Sequence, residues 1–231
     1  MKGIDMDLFP LWNSLRIAAI SAALVFLLGL AAAYYVARAP RLVKGVLDVV
    51  FTLPLVLPPT VVGYLLILLL GPNHALGAAA LRLFGSKLLM HWWSAVFAVT
   101  VVVFPMMYRT ARGAFESFDE DLAAAARTLG LSNRYIFWRI RLPACRPGIL
   151  AGVVLAFARA LGEYGATSMV VGFIPGRTAV VATQVAFLWQ NQGNTEAGRR
   201  ALLFWIAINV TISAVVLITV NLLERRRTVK S

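Results

Sequence analysis

Residues 119–143 read DEDLAAAARTLGLSNRYIFWRIRLP, a charged stretch between two long apolar parts of the chain. Acids at its start, an Ala-rich run to Leu129 and Gly130 behind it predict a short helix, because acids favour a helix N-terminus and glycine favours its end. A second helix is predicted from Arg134 to Arg141, ending at Leu142-Pro143, because proline lacks the N–H that a continuing helix needs. The stretch therefore predicts two short helices in an elbow, suited to dock into a groove on a partner protein.

The elbow is flanked by apolar runs, and about 20 apolar residues are needed to cross a hydrocarbon core of about 30 Å. Runs of this kind are Ile17–Ala37, Val49–Gly71, Leu88–Tyr108, Pro147–Gly172 and Ala201–Leu223. Ala179–Trp189 is too short to cross, which predicts a partial or re-entrant helix. We therefore expect an all-α, polytopic membrane protein with one domain over residues 1–231. Its predicted spans are 13–37, 46–71, 88–109, 147–171 and 201–223, with an inner loop at 113–146 and a short helix at 179–190.

Composition supports a membrane protein, since 60% of the 231 residues are hydrophobic and 14% are charged. Soluble domains have about 45–50% apolar and about 25% charged residues, so an ordinary soluble enzyme is excluded. One cysteine, Cys145, excludes an intrachain disulfide, and His74 and His91 are too far apart for a metal pair on one helix face. No catalytic or metal site is predicted.

The net charge of +12 would suggest nucleic-acid binding in a soluble protein, but it also indicates membrane topology. Lys and Arg accumulate on the cytoplasmic side of membrane proteins. Five spans with the N-terminus outside and the C-terminus in the cytoplasm place most of the 22 Lys and Arg residues inside. A sixth span at Ala179–Trp189 would move the tail Arg225–Lys230 outside, which this bias disfavours. We also predict that the first run is an uncleaved span rather than a signal peptide.

Three prolines, Pro54, Pro58 and Pro59, predict a break in the second span, because they leave backbone carbonyls without intrahelical partners. Bilayers tolerate such a break only where it is buried in protein or lines water. One interpretation is that Pro58, Pro59, Thr60 and Gly63 line a translocation path, with Thr60 donating a hydrogen bond to an anion. The alternative is a kink that lets neighbouring helices pack.

Arg159 and Glu163 are spaced i, i+4 inside the fourth span, so they share one helix face. An unpaired charge at that depth costs at least about 2.5–3.5 kcal/mol, which predicts that the two side chains pair. Either the pair is permanent and stiffens a gate, which we favour, or Arg159 meets an anion transiently. We include the neighbouring Tyr164, Gly165, Thr167 and Ser168 among the candidate path residues.

The stretch Ala124-Ala125-Ala126-Arg127-Thr128-Leu129-Gly130, nine residues and then Ile140-Arg141-Leu142-Pro143 resembles the EAA loop of binding-protein-dependent ABC importer permeases. In that family the loop contacts the ATPase subunit, which implies a coupling role for the matching positions. Ala124 departs from the pattern because the family usually has glutamate there; Glu120, one turn earlier, could substitute. The implied coupling residues are Glu120, Ala124, Ala125, Ala126, Arg127, Leu129, Gly130, Ile140, Leu142 and Pro143.

Two further stretches, Leu53–Tyr64 and Ala156–Thr167, resemble molybdate importer permeases, and the likeness extends from Trp12 to Arg226. The resemblance implies a type I, MetI-like permease without catalysis or cofactor of its own, in the inner membrane of a bacterium or archaeon. It also implies a homodimer, two ATPase subunits that use ATP and an extracytoplasmic oxyanion-binding protein. No G-x-x-x-x-G-K-[ST] run occurs, so nucleotide binding is expected on another chain. Tungstate or sulfate permeases, a secondary transporter and an intramembrane enzyme are the alternatives.

Overall fold

The computed structural model describes residues 7–85 and 87–228, with side chains except those of Ala75, Phe84 and residues 219–228. All regular elements of this part of the chain are helices, which confirms the predicted fold class. The helices are α1 (Phe9–Ala37), α2 (Arg41–Val56), α3 (Pro59–Leu70), α4 (Ala75–Phe84), α5 (Trp92–Glu116), α6 (Glu120–Thr128), α7 (Asn133–Ile136), α8 (Leu142–Leu161), α9 (Gly165–Val171), α10 (Val181–Gln192) and α11 (Glu196–Thr228). A π-helical turn, Phe137–Arg141, joins α7 to α8.

The core is organised around α5, which packs against α1 and α8. Its buried Ala and Val residues belong to this core, and Met107 lies against Gly29 of α1 and Gly152 of α8, whereas the fully buried Tyr108 contacts Phe51 of α2. On α1, a Cβ at Gly29 would lie 2.9 Å from Met107 Cγ, so the glycine permits the close approach of the two helices. Small residues at such contacts are typical of helix packing in membranes, where tight van der Waals contact holds helices together.

Within the described residues, four helices are long and apolar enough to cross a bilayer: α1, α5, the continuous helix Asn133–Leu161 and Glu196–Ile218 of α11. Neither α2 nor α3 alone is long enough to cross, but the two together are, and their axes differ in direction by 112°. The predicted span 46–71 is therefore two helices that meet at a sharp bend, and not one straight helix. The break lies at Leu57 and Pro58, because Pro59 cannot donate a backbone hydrogen bond and becomes the first residue of α3.

The predicted helix end at Leu142-Pro143 is wrong, since the helix from Asn133 continues to Leu161. The N–H of Leu142 bonds to the carbonyl of Phe137, five residues earlier, so the backbone widens into a π turn before Pro143. Proline is tolerated there in the first turn of α8. The second arm of the elbow is thus the beginning of a membrane helix, and not a separate short helix.

The predicted span 147–171 also differs from the structure, because α8 ends at Leu161 and α9 begins only at Gly165. Gly162 ends α8, and Gly172, with φ of +63°, ends α9 in a conformation that favours glycine. Past this point the chain reaches α10, whose twelve residues are too few to cross a bilayer.

Two ends of the helical assembly can be distinguished by their contacts. At one end, Asn13 Nδ2 of α1 donates to the carbonyl of Ala179 over 3.0 Å, and Ser14 Oγ accepts from the N–H of Val181 over 2.9 Å. At the other, Lys44 of α2 pairs with Glu116 of α5, near the elbow. Of the cations behind the predicted orientation, Lys2 and Lys230 lie outside the described residues, as do the side chains of Arg225–Arg227.

Candidate coupling surface and translocation path

Local capping interactions shape the elbow. Asp119 Oδ1 accepts from the N–H of Asp121 over 2.9 Å and begins α6, as an N-cap aspartate does. After α6, Gly130 adopts φ of +79°, and the N–H of Leu131 returns to the carbonyl of Ala126 over 3.1 Å. This is the glycine-dependent turn that commonly closes a helix. A Cβ at Gly130 would meet no atom within 4 Å, so there is space for a side chain. The backbone conformation, and not lack of space, is therefore what requires glycine at this position.

The elbow divides its residues between a buried and an exposed side. Ala123 and Ala126 are buried, whereas Leu129 is 79% exposed. Of the other predicted coupling residues, Ala124, Ala125, Arg127, Gly130 and Pro143 are exposed, and Ile140 and Leu142 are half-buried. Four large exposed side chains, Leu122, Leu129, Tyr135 and Trp138, form what we call the elbow surface. Large exposed apolar side chains with aromatic residues among them are typical of a protein interface.

Glu120 links the two arms of the elbow. Arg141, which is 3% exposed and lies in the π turn, donates from Nη2 to Glu120 Oε2 over 2.6 Å. The same guanidinium lies over the Phe118 ring, 4.5 Å from its centroid. The hydrogen bond from Arg141 lowers the pKa of the Glu120 carboxyl, and burial opposes that shift. Glu120, predicted to replace the missing glutamate, thus already pairs with a residue of its own chain, although its side chain is 60% exposed.

An ionic cluster beside the elbow was not predicted from the sequence. Asp48 of α2 pairs with Arg112 of α5 and accepts a hydrogen bond from the Tyr108 hydroxyl over 3.2 Å. Glu116 lies 3.5 Å from Arg112 Nε and pairs with Lys44. Only the i, i+4 spacing of Arg112 and Glu116 was a visible sequence signal. The pairs between α2 and α5 depend on a contact that spacing cannot show.

Arg159 and Glu163 pair as expected. Arg159 Nη1 lies 2.8 Å from Glu163 Oε2, and the Arg159 side chain is 35% exposed whereas that of Glu163 is 1% exposed. The second carboxylate oxygen accepts from the N–H of Ala166 over 2.9 Å. Glu163 therefore also caps the first turn of α9, a role that the sequence analysis missed.

The candidate path residues come from two segments that lie about one hundred positions apart and meet where α3 packs on α9. A Cβ on Gly63 would lie 2.9 Å from Ala166 Cα, and one on Gly165 would lie 2.8 Å from Pro59 Cβ. Both glycines are buried contacts between helices. The structure shows close packing of neighbouring helices at these two positions. Such packing was one of the two interpretations of the Pro-rich stretch.

The remaining candidates differ in exposure. Pro58, Thr60 and Tyr164 are exposed, and Ser168 is half-buried with its hydroxyl donating to the carbonyl of Gly165 over 3.0 Å. Thr167 is buried, and its hydroxyl has no hydrogen-bond partner among the described residues. Thr60 and Tyr164 are therefore the hydroxyl-bearing residues of this set whose side chains are exposed on this chain.

Comparison with protein families identifies a match over residues 25–229 to the family described as binding-protein-dependent transport system inner membrane component. The molybdenum transport system permease protein ModB of Escherichia coli (strain K12) is 40% identical over 203 residues, covering 86% of this chain and 89% of the relative. ModB of Haemophilus influenzae is 38% identical, covering 89% and 90%. The sulfate transport system permease protein CysW of Synechococcus elongatus is 36% identical, covering 92% and 72%.

The fold also resembles solved transporter structures. An inward-facing conformation of the MetNI methionine ABC transporter has a chain that superposes with a TM-score of 0.74, at 16% identity, covering 98% of this chain and 99% of the other. At that identity the similarity concerns the fold alone.

Proposed function

The chain belongs to the family of binding-protein-dependent transport system inner membrane components, and on that premise we propose that it is the permease subunit of an ATP-driven importer of molybdate. The assignment of molybdate as the substrate rests on the 38–40% identity to ModB proteins over most of both chains. The relatives are named as permease proteins of transport systems, so ATP would be bound and hydrolysed by a separate subunit and this chain would need no cofactor. Sulfate is the second candidate, because CysW is 36% identical.

The elbow surface would dock against that ATPase subunit. Its exposed Leu122, Leu129, Tyr135 and Trp138 supply apolar contact area, and aromatic residues are enriched in interface cores. Ala124 and Ala125 are also exposed, so the absence of a larger side chain at Ala124 lets a partner approach the helix closely. With Glu120 held by Arg141, docking at this position would rest on apolar contact more than on an ion pair.

The Arg159–Glu163 pair would hold the region of the path in shape. Glu163 is occupied twice, by Arg159 and by the N–H of Ala166, so its release would also uncap α9. A strong cation site would trap a divalent anion, whereas conduction needs sites that release it. Weak hydrogen bonds from exposed hydroxyls such as Thr60 would suit passage better.

The transporter would assemble as a homodimer with two ATPase subunits and an extracytoplasmic oxyanion-binding protein. Five crossings with the N-terminus outside place the elbow and the C-terminus in the cytoplasm. Cys145 is buried, so a second cysteine introduced at residue 229 can be followed with impermeant thiol reagents. We expect protection in whole cells; labelling from outside would contradict this orientation.

The function is tested in proteoliposomes that contain the permease, its ATPase and its binding protein. We expect ATP-dependent uptake of labelled molybdate that excess sulfate does not suppress, with an ATPase variant unable to hydrolyse ATP as the control. Uptake of sulfate but not molybdate would transfer the proposal to sulfate. Uptake that proceeds equally with the inactive ATPase would overturn the importer assignment and favour a secondary transporter.

A further inference from the structure

A polar cavity of about 540 Å³ lies at the elbow, and its lining does not include the four residues of the elbow surface. It opens between the end of α1, the start of α6 and the π turn. Its polar lining comes from Arg38, Arg127, Arg141, Glu120 and Asn133, and Tyr34 is among its aromatic residues. Cavities that bind small ligands have volumes of about 300–1,000 Å³, so its size is that of a binding site.

The charges around this cavity do not balance. Three arginines face one carboxylate, and that carboxylate is already bonded to Arg141. Arg127 Nε donates to Asn133 Oδ1 over 3.1 Å, a bond that leaves its charge uncompensated. Arg38 stacks on the Tyr34 ring, with its guanidinium carbon 3.8 Å from the centroid. The excess of positive charge makes the cavity attractive to an anion.

The unsatisfied donor of Arg141 is a second, independent indication that the cavity binds an anion. Its side chain is 3% exposed, and its Nε donor has no hydrogen-bond partner among the described residues. A buried, incompletely satisfied guanidinium is costly unless acceptors are supplied to it. Burial and the charges of Arg141 and Arg127 lower the pKa of Arg38, against the opposing effect of Glu120. Both observations indicate a site that lacks negative charge.

We propose that this cavity binds a tetrahedral oxyanion or phosphate group, held by Arg38 and Arg127 at its mouth and by Arg141 within. Arginine suits such groups because its planar donors match their oxygens. A bound anion would join the end of α1 to α6 and so brace the elbow. The ligand would be either a free oxyanion or the phosphate of an anionic lipid headgroup. The proposal does not depend on which substrate is transported.

The test compares the wild-type full-length permease with Arg38→Gln and, as a matched control, Arg41→Gln, an exposed arginine that does not line the cavity. Thermal unfolding in neutral detergent is followed while phosphate, molybdate or sulfate replaces chloride at constant ionic strength. Native mass spectrometry of protein from vesicles of phosphatidylglycerol and phosphatidylcholine reports retained lipid. Arg141 is left intact because its substitution would also break the link to Glu120.

A midpoint that rises with a free oxyanion in wild type and Arg41→Gln, with the rise at least halved in Arg38→Gln, supports the free-ion form of the site. Retention of phosphatidylglycerol that is lost only in Arg38→Gln supports the lipid form. Equal responses of the two variants, or no response to either ligand class, would overturn the proposal. None of these measurements involves transport. A failed molybdate uptake assay would therefore count against the proposed function but not against this anion site.

Discussion

The elbow and the α3–α9 contact are built by different kinds of interaction. In the elbow, Asp119, Ser132 and Gly130 fix the turns through bonds that span two to five residues. At the α3–α9 contact, Gly63 and Gly165 are fixed by neighbours about one hundred residues away. Substitutions in the elbow should therefore change local conformation and docking, whereas those at the α3–α9 contact should change the packing of the membrane domain.

The largest effect is expected at the ion pair of the path region. Arg159→Met leaves the buried Glu163 carboxylate without its cation, and breaking a buried pair in this way costs about 3–5 kcal/mol of stability. The double variant Arg159→Met/Glu163→Gln should recover much of that loss, because an amide oxygen can still accept from the N–H of Ala166. Thermal unfolding in detergent measures both changes.

The same double variant separates the two roles of Arg159. If the pair is structural, folded double variant should retain molybdate uptake in proteoliposomes. Normal folding with lost uptake would show instead that the arginine contacts the anion.

Overpacking the α3–α9 contact should have the next largest effect. Gly165→Val places a Cβ 2.8 Å from Pro59 Cβ and 3.1 Å from the backbone N of Thr60, so the two helices must separate. Overpacking of this kind costs about 1–3 kcal/mol. Gly162→Ala is the matched control, because its Cβ would meet nothing within 4 Å. Equal thermal midpoints for the two variants would contradict the packing role of Gly165.

In the elbow, Gly130→Asp should leave the protein in the membrane but strongly reduce ATPase association and uptake. The backbone at φ of +79° favours glycine, so a side chain there is strained even for aspartate, one of the residues that adopt this conformation most readily, and the end of α6 would shift. Gly113→Asp, on α5 and without neighbours at its Cβ, is the control. Co-purification of the ATPase measures docking, and wild-type association of the Gly130 variant would disprove the docking role.

The smallest effect is expected at Glu120. The Glu120 side chain is 60% exposed, so water screens its charge although Arg141 is buried, and the glutamine amide oxygen can still accept from Arg141; Glu120→Gln should therefore cost less than about 1 kcal/mol. Because the folded-state pKa of Glu120 is lowered, this stabilisation is present above the unfolded-state value and is lost as pH falls through the folded one. The difference in thermal midpoint between wild type and variant should therefore shrink as pH falls below about 4.3, the ordinary pKa of a glutamate, and disappear once the pH lies below the lowered folded-state pKa. A difference that persists there would contradict an ionic origin.

The sequence predicted features that depend on neighbouring residues. The apolar runs located the long helices, the prolines located the break before α3, and the i, i+4 spacing of Arg159 and Glu163 predicted their pairing. The prediction that the second elbow helix ends at Pro143 was wrong, because the backbone hydrogen bonds change there from four-residue to five-residue spacing and so accommodate the proline. The sequence analysis also missed the Asp48–Arg112 pair and the Glu120–Arg141 bond, because both join residues more than twenty positions apart.

The unbroken helix Asn133–Leu161 has a mechanical consequence. Its 29 residues, at about 1.5 Å each, make a lever arm of about 43 Å, with the π turn near one end and Arg159 near the other. A tilt of only about 5° about the elbow end would swing the Arg159 end through about 4 Å, roughly the length of a side-chain contact. A small displacement of the elbow is thereby amplified at the ion pair.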